Sequence, residues 1–214
     1  MLILGIDTST QNTSVGLAEN GKSVGVRSVF GKSVASEKLL LLTDELLQTG
    51  YSFNDVDAIA VSIGPGSYTG LRIGLATAKG LALPKNLPVL PVPTFSALDY
   101  VARQEWSENV ILFLRSHQEF VYYCKSTAGL TQFPISHDTF QKVIEHFSDV
   151  SIFIGDSEFS MPEGKRLFLR YPQGDHIAVL AFQNYDDLVQ KNSAELEPEY
   201  HSNLEVVSWT KKSR

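Results

Sequence analysis

Apolar residues in this chain come in short runs of strand length, separated by polar turns and alternating with segments of helical period. Leu2 to Asp7 is the first run and ends in Asp7-Thr8-Ser9-Thr10. Ser14 to Ala18 is the second, and Asn20-Gly21 makes a hairpin turn into a third strand over Lys22 to Phe30. Ser33 to Thr49 reads as a helix with Ser36 as its cap. Leu39, Leu42 and Leu46 form one stripe on it, Leu40 and Leu47 a second, and Leu41 points elsewhere. That coverage exceeds the single apolar stripe of a surface helix. Either this helix is sandwiched inside the domain or its outer face meets another protein.

The stretch from Asp57 to Leu83 is the centre of the pattern. Ala58 to Ile63 is a strand, Gly64-Pro65-Gly66 breaks it, and Ser67 or Thr69 caps a helix running to about Leu83. A strand, a glycine turn and a helix N-terminus in that order can hold an anion, because unpaired N–H groups point at it. Neither GxxxxGK[ST] nor GxGxxG is present, which weakens a phosphate reading. On the helix, Gly70, Gly74 and Ala78 recur every four residues and make one face smooth. An interior glycine costs a helix about 1 kcal/mol relative to alanine, so close approach of another backbone is expected at this face. Either a partner helix or the chain's own sheet supplies that backbone.

Downstream, Leu87 to Val92 reads as a strand, and Thr94 caps a helix to about Gln104. Val110 to Leu114 and Phe120 to Lys125 are a strand pair. Asp138 to Phe147 is a helix, Val150 to Ile154 and Leu167 to Leu169 are strands, and Asp175 to Lys191 is one long helix. Strands alternating with helices in both halves predict an α/β protein of two lobes, 1–104 and 105–214, without internal repeats.

Composition narrows the function classes. The 214 residues carry a net charge of −6, with 43% hydrophobic and 20% charged residues, as in an ordinary globular protein. That charge argues against a broad basic surface tracking nucleic acid; Lys211-Lys212-Ser213-Arg214 is the one basic cluster in view. The single cysteine, Cys124, excludes an intrachain disulfide and, inside FVYYC, reads as a buried hydrophobe. No apolar run approaches the ~20 residues of a membrane span, and Met1-Leu2-Ile3-Leu4 lacks a secretory pattern, so the cytoplasm is the expected compartment.

The Asp-Thr-Ser-Thr tip after the first of three adjacent strands resembles the phosphate loop of the actin, sugar-kinase and Hsp70 fold. There a glycine lets backbone approach phosphate closely; here Ser9 stands near that place, so a nucleotide site at Asp7, Thr8, Ser9 and Thr10 is expected to be degenerate. Taken together, ILGIDTST (residues 3–10) and IGPGSYTGLRIGLATAKGLAL (residues 63–83) resemble the bacterial TsaB (YeaZ) family, closely over 1–104. The resemblance implies a two-lobed actin-like ATPase fold with mixed sheets flanked by helices, and a non-catalytic subunit. Such a subunit supports TsaD in transferring threonylcarbamoyl to adenine 37 of ANN-decoding tRNAs, with a TsaE-like ATPase aiding turnover. It also implies homodimerisation, and TsaD binding, through the two helices. The implied interface comprises Leu39, Leu42 and Leu46 on the first helix and Tyr68, Gly70, Arg72, Ile73, Gly74, Ala78 and Leu81 on the second. Contact with tRNA is expected only within the complex, and an ATP or ADP site would be shared with the partner, which supplies its second wall.

The chain departs from the family in places. Arg115-Ser116-His117 stands where Asp-Ala-Arg is usual, Ala35 replaces a frequent histidine, and Glu197 to Ser202 keeps only Pro198 and Tyr200 of a Pro-x-Tyr-Leu-Arg pattern. Two other classes compete with the binding subunit. A stand-alone small-molecule kinase or ATPase lacks its phosphate-loop glycine and any lysine near Asp7 in sequence. A glycoprotease-like peptidase would need two histidines one helical turn apart for zinc. The five here, His117, His137, His146, His176 and His201, are never three or four apart and read as scattered surface groups. Gly64-Pro65-Gly66-Ser67 is not a GxSxG elbow either.

Overall fold

The computed structural model describes residues 1–127, 134–192 and 195–201; Ser202 and the Lys211–Arg214 cluster lie outside them. Two five-stranded sheets account for the described strands. The first begins with β1 (Leu2–Asp7), all six residues of which are buried. It pairs antiparallel with β2 (Asn12–Glu19) and parallel with β4 (Ala58–Gly64). Its edges are β3 (Lys22–Phe30) and β5 (Val89–Pro93), in the order β3-β2-β1-β4-β5. Parallel neighbours need crossovers, and α1 (Ala35–Leu47) lies between β3 and β4, α2 (Tyr68–Ala82) between β4 and β5.

Strand alternation divides the first core in two. Leu2, Leu4 and Ile6 join Leu39, Leu42, Leu46, Leu75 and Ala78 under α1 and α2. Ile3 on the opposite face joins Ala97 of α3 (Thr94–Arg103) and Ile177, Ala178 and Ala181 of α5 (Gly174–Gln183). Helix α5 comes so close that Gly5 and Gly16, partners across the β1–β2 ladder, leave no room for a Cβ. One added at Gly5 would run into the Gly174 carbonyl, and one at Gly16 into the Asp175 backbone nitrogen.

The second sheet holds β6 (Val110–His117), β7 (Phe120–Ser126), β8 (Ser136–Thr139), β9 (Ile152–Gly155) and β10 (Arg166–Leu169), in the order β10-β9-β6-β7-β8. Helix α4 (Phe140–His146) buries Phe140, Val143 and Ile144 on one face of it. On the other, Phe95 and Leu98 of α3 pack with Leu112, Leu114 and Tyr122.

Several elements differ from their sequence expectation. Helix α1 has Val34 at its N-cap with no side-chain bond, so Ser36 does not cap it. Thr94 is the first residue of α3 instead of its cap, and its buried Oγ1 has no partner among the described residues. Residues 136–139 pair with β7, so the expected helix from Asp138 starts only at Phe140. The long helix from Asp175 is broken at Asn184 (φ −119°, ψ 26°) into α5 and α6 (Tyr185–Val189). Residues 174–183 also pack on the first sheet, away from the second-lobe strands with which a division at 104/105 grouped them.

Helix α2 settles which face its small residues serve. Gly70 and Gly74 are buried with Ala78. A Cβ on Gly70 would strike the Thr8 carbonyl, and one on Gly74 the Thr8 hydroxyl. The chain's own strand end therefore meets this face, not a partner helix. A second stripe, Arg72 followed by the small Ala76 and Gly80, is exposed on the opposite side, and a Cβ on Gly80 would meet nothing. Gly74→Ala is expected to lower the thermal midpoint, since overpacking costs ~1–3 kcal/mol. Gly80→Ala should raise it, by up to ~1 kcal/mol of helix propensity. Thermal melts of the two variants side by side check the assignment; equal shifts would contradict it.

Candidate site at the strand tip, the interlobe cleft and the outer face of α2

Three features meet where β1 ends. The first is the tip itself. Ser67 is the N-cap of α2, its Oγ accepting from the Gly70 N–H at 3.2 Å. Its backbone N–H donates to the Ser9 carbonyl at 2.7 Å, and the Thr8 hydroxyl donates to the Gly70 carbonyl at 2.7 Å. Gly66 lies against Ser9 so closely that a Cβ would collide with its carbonyl. Donors that could meet a phosphate at a helix N-terminus are thus partly spent on the chain itself. Asp7, Thr8 and Ser9 are buried, and only Thr10 of the expected nucleotide residues is half-exposed.

Asp7 is sealed beneath this closure. Ser9 Oγ donates to its Oδ1 at 2.8 Å, while Oδ2 has no hydrogen-bond partner among the described residues. Burial dominates and pushes its pKa from 3.8 to about 7, against the smaller opposing pull of the Ser62 and Ser9 hydroxyls.

The second feature is an open cleft of about 700 Å³ between the lobes. Ser9, Thr10, Lys32, Ser67 and Tyr68 line it from the first lobe, and Arg115, His117, Tyr122 and Asp156 from the second. Lys32 brings a cation to the lining of this cleft. The Arg115 backbone N–H donates to Asp156 Oδ1 at 2.8 Å. Burial still raises Asp156 to about 6, the Arg115 and Ser157 hydrogen bonds opposing it. Arg115-Ser116-His117 therefore faces the cleft from the turn of the β6–β7 hairpin.

The histidines are less scattered than expected. His117 and His137 stack near-parallel, 6.0 Å between centroids, with Phe120 4.9 Å from the first and 5.4 Å from the second. The β7–β8 pairing, invisible in the sequence periodicity, brings them together. Burial and the neighbouring His117 hold His137 below its usual value. Among the described residues no three His, Cys, Asp or Glu side chains are grouped to hold a metal. Cys124 is buried, and desolvation pushes its thiol up, away from nucleophilic use.

The third feature is the outer face of α2. Of the ten residues expected at an interface, Leu39, Leu42, Leu46, Gly70, Gly74 and Ala78 are buried in the chain's own core. Tyr68 and Arg72 are exposed, and Ile73 and Leu81 half-buried. Ala76, Gly80 and Leu83 extend this face, and α1 exposes Leu40 and Leu41. Residues 196–201 run along α2 as an extended strap. The Glu199 N–H donates to the Ile63 carbonyl at 2.7 Å, and Lys79 Nζ to the Leu196 carbonyl at 2.7 Å. Gly64 (φ +127°) is required beneath the strap, where a Cβ would collide with the Glu199 carbonyl. Among the described residues no helix is long and apolar enough to cross a membrane.

Two mixed sheets flanked by helices around a central cleft form a two-lobed fold of the actin-like kind. The fold is shared with YeaZ from Pseudomonas aeruginosa, at a TM-score of 0.74 and 23% identity over 93% of this chain and 99% of that one. It is also shared, at a TM-score of 0.51 and 10% identity over 90% and 98%, with the activator of 2-hydroxyisocaproyl-CoA dehydratase from Clostridium difficile, solved with bound ADPNP. The family model for TsaD: tRNA N6-adenosine threonylcarbamoyltransferase matches residues 32–193. The tRNA threonylcarbamoyladenosine biosynthesis protein TsaB of Haemophilus influenzae is 34% identical over 124 residues, 58% of this chain and 52% of that protein. The chain belongs to the family of that model, and the curated relatives it matches include both TsaB and tRNA N6-adenosine threonylcarbamoyltransferase proteins. It spans about half the length of the curated relatives it matches.

The neutral form of Asp7 is favoured by the fold, which gives a pH dependence of definite sign. Between pH ~4 and ~7 the unfolded chain releases the Asp7 proton and the folded one keeps it, so this residue's contribution to stability falls as pH rises, then levels off. Asp7→Asn should stabilise by an amount that grows across that window, to the order of a few kcal/mol at pH 8. Thermal melts of both proteins from pH 4.5 to 8.5 check it. A gap that shrinks with rising pH would mean an ionised, partnered Asp7.

Proposed function

We propose that the chain is a non-catalytic, TsaB-type subunit. It binds a TsaD-like transferase and supports threonylcarbamoyl transfer to adenine 37 of ANN-decoding tRNAs in the cytoplasm. A TsaE-like ATPase assists turnover, and tRNA is met only within the assembly. The observation carrying this reading is the outer face of α2. Exposed Ala76 and Gly80 leave a smooth strip, flanked by Ile73, Leu81 and Leu83 and accompanied by Leu40 and Leu41 on the adjoining helix. Small residues allow close helix approach, and an apolar strip of this kind suits a protein contact. The interface is thus shifted by half a turn of the helix wheel from Gly70–Gly74–Ala78 to Arg72–Ala76–Gly80. In isolation the same face pairs with a second copy. Absence of chemistry in this subunit is supported by the closed tip, where Ser67, Gly66 and Gly70 fill the space over Ser9 and Thr8.

Gly80→Leu is the direct test. Its Cβ meets no neighbour and its propensity gain is under ~1 kcal/mol, so the monomer should fold as before. Pairing with the cognate transferase should weaken tenfold or more, since overpacking at a contact costs ~1–3 kcal/mol. Threonylcarbamoyladenosine formation in the reconstituted system should fall with it. A folded variant that pairs and supports modification normally would overturn the assignment.

The competing reading, a stand-alone kinase or ATPase, draws on the cleft with Lys32 and Arg115. With Asp7 sealed, calorimetry on the isolated chain should show no ATP or ADP binding tighter than micromolar, leaving any nucleotide site to be completed by the partner. Tighter binding abolished by Asp7→Ala would favour the kinase class.

A further inference from the structure

Arg72 stands at the N-terminal end of the outer face of α2 and is held from both sides. Its guanidinium carbon lies 3.9 Å above the Tyr68 ring and 5.6 Å from the Tyr200 ring. The two rings are 5.0 Å apart at 36°, and Arg72 Nε donates to the Tyr200 hydroxyl at 2.8 Å. Tyr200 belongs to the strap, so the C-terminal segment fixes a side chain on the second helix. Among the described residues no carboxylate lies within ion-pair distance of Arg72 and neither terminal nitrogen donates a hydrogen bond; the Glu197 carboxylate acts on it only from farther off. A guanidinium stacked in this way is oriented before a partner arrives, and its fork of N–H groups matches a carboxylate in two-point geometry. Tyrosine and arginine are also the residue types that dominate binding at protein contacts.

The charges on the same helix decide what kind of partner fits. Tyr68–Ala82 contains no acidic residue. A second copy packing α2 on α2 would therefore offer Arg72 no acceptor from that helix. An apolar strip beginning at Arg72 and continuing through Ile73, Ala76 and Gly80 suits a protein helix better than a phosphate backbone, which would be met by a row of cations.

We infer that the Tyr68–Arg72–Tyr200 clamp is a docking point for a carboxylate on the transferase subunit, and that it makes the α2 face prefer that partner over a second copy of this chain. The inference rests on the proposed role of the α2 outer face. Discrimination here lies between a partner that supplies Arg72 with a carboxylate and one whose facing helix supplies none. Tyr200 acts as a positioning residue, through Arg72. Loss of its hydroxyl leaves the ring contact while freeing Nε.

The test compares full-length wild type, Arg72→Ala, Tyr200→Phe and Gly80→Leu, each checked for folding by thermal melt. Titration against the cognate transferase subunit gives heteropairing, and sedimentation equilibrium gives self-pairing. Arg72→Ala is expected to weaken heteropairing tenfold or more and to flatten its dependence on salt, while self-pairing holds or tightens. Tyr200→Phe should lie between Arg72→Ala and wild type. Gly80→Leu should weaken both pairings. If Gly80→Leu weakens heteropairing and Arg72→Ala leaves it unchanged, the clamp is overturned and the interface reading stands. If neither affects it, the interface reading itself fails. Equal loss of self-pairing and heteropairing in Arg72→Ala would overturn the preference for a different partner.

Discussion

The structure depends on how closely two helices come to the backbone of β1. Helix α5 reaches one face because Gly5 and Gly16 present no side chains where the Gly174 carbonyl and Asp175 nitrogen lie. Helix α2 reaches the end of the strand because Gly70 and Gly74 leave room for Thr8. A single methyl at these positions would force backbone apart, and packed interiors give way little. With β1 held from both directions, the remaining strands of the first sheet have a fixed ladder to build on, and α2 has a fixed axial position.

That same closeness turns the polar groups at the tip of β1 toward one another. The Ser67 N–H goes to Ser9, the Ser67 hydroxyl to Gly70, and the Thr8 hydroxyl to the Gly70 carbonyl. Asp7 is left in a dry setting that favours its neutral form up to about pH 7. Polarity has not vanished from the centre of the molecule, since Lys32, Arg115 and His117 converge on the cleft beside it. Asp7 itself is buried and is not part of the cleft lining. The fold is shared with a protein solved with bound ADPNP; in this chain the residues at the end of β1 serve packing.

The outward side of α2 is the counterpart of this closure. Burial of Gly70, Gly74 and Ala78 turns Arg72, Ala76 and Gly80 to the surface on the opposite side of the helix. The strap from Leu196 to His201 follows the same helix and finishes its N-terminal end by adding Tyr200 to Tyr68 around Arg72. The four that remain at the surface from the sequence-level list are joined by neighbours whose exposure only the fold reveals.

Much of the local structure was determined by the sequence alone. The apolar run before Asp7, the Asn20-Gly21 turn and the strand–glycine–helix order around Gly64 reflect short-range preferences, which survive in any fold that uses them. Ser67 as the cap of α2 is of the same kind. The resemblance over residues 3–10 and 63–83 carried the family for the same reason, being confined to contiguous segments. Tertiary structure alone decided the rest. Gly70–Gly74–Ala78 and the pair Ala76–Gly80 both place small residues one turn apart, and helical period cannot tell which stripe meets Thr8 and which meets solvent. The return of α5 to the first sheet, the β7–β8 pairing that joins His117 to His137, and the meeting of Lys32 with Arg115 and Asp156 link residues far apart in the chain. So does the Tyr200–Arg72 contact, across more than half of its length. Such contacts arise from which surfaces pack together, and a one-dimensional pattern records only what each surface is made of.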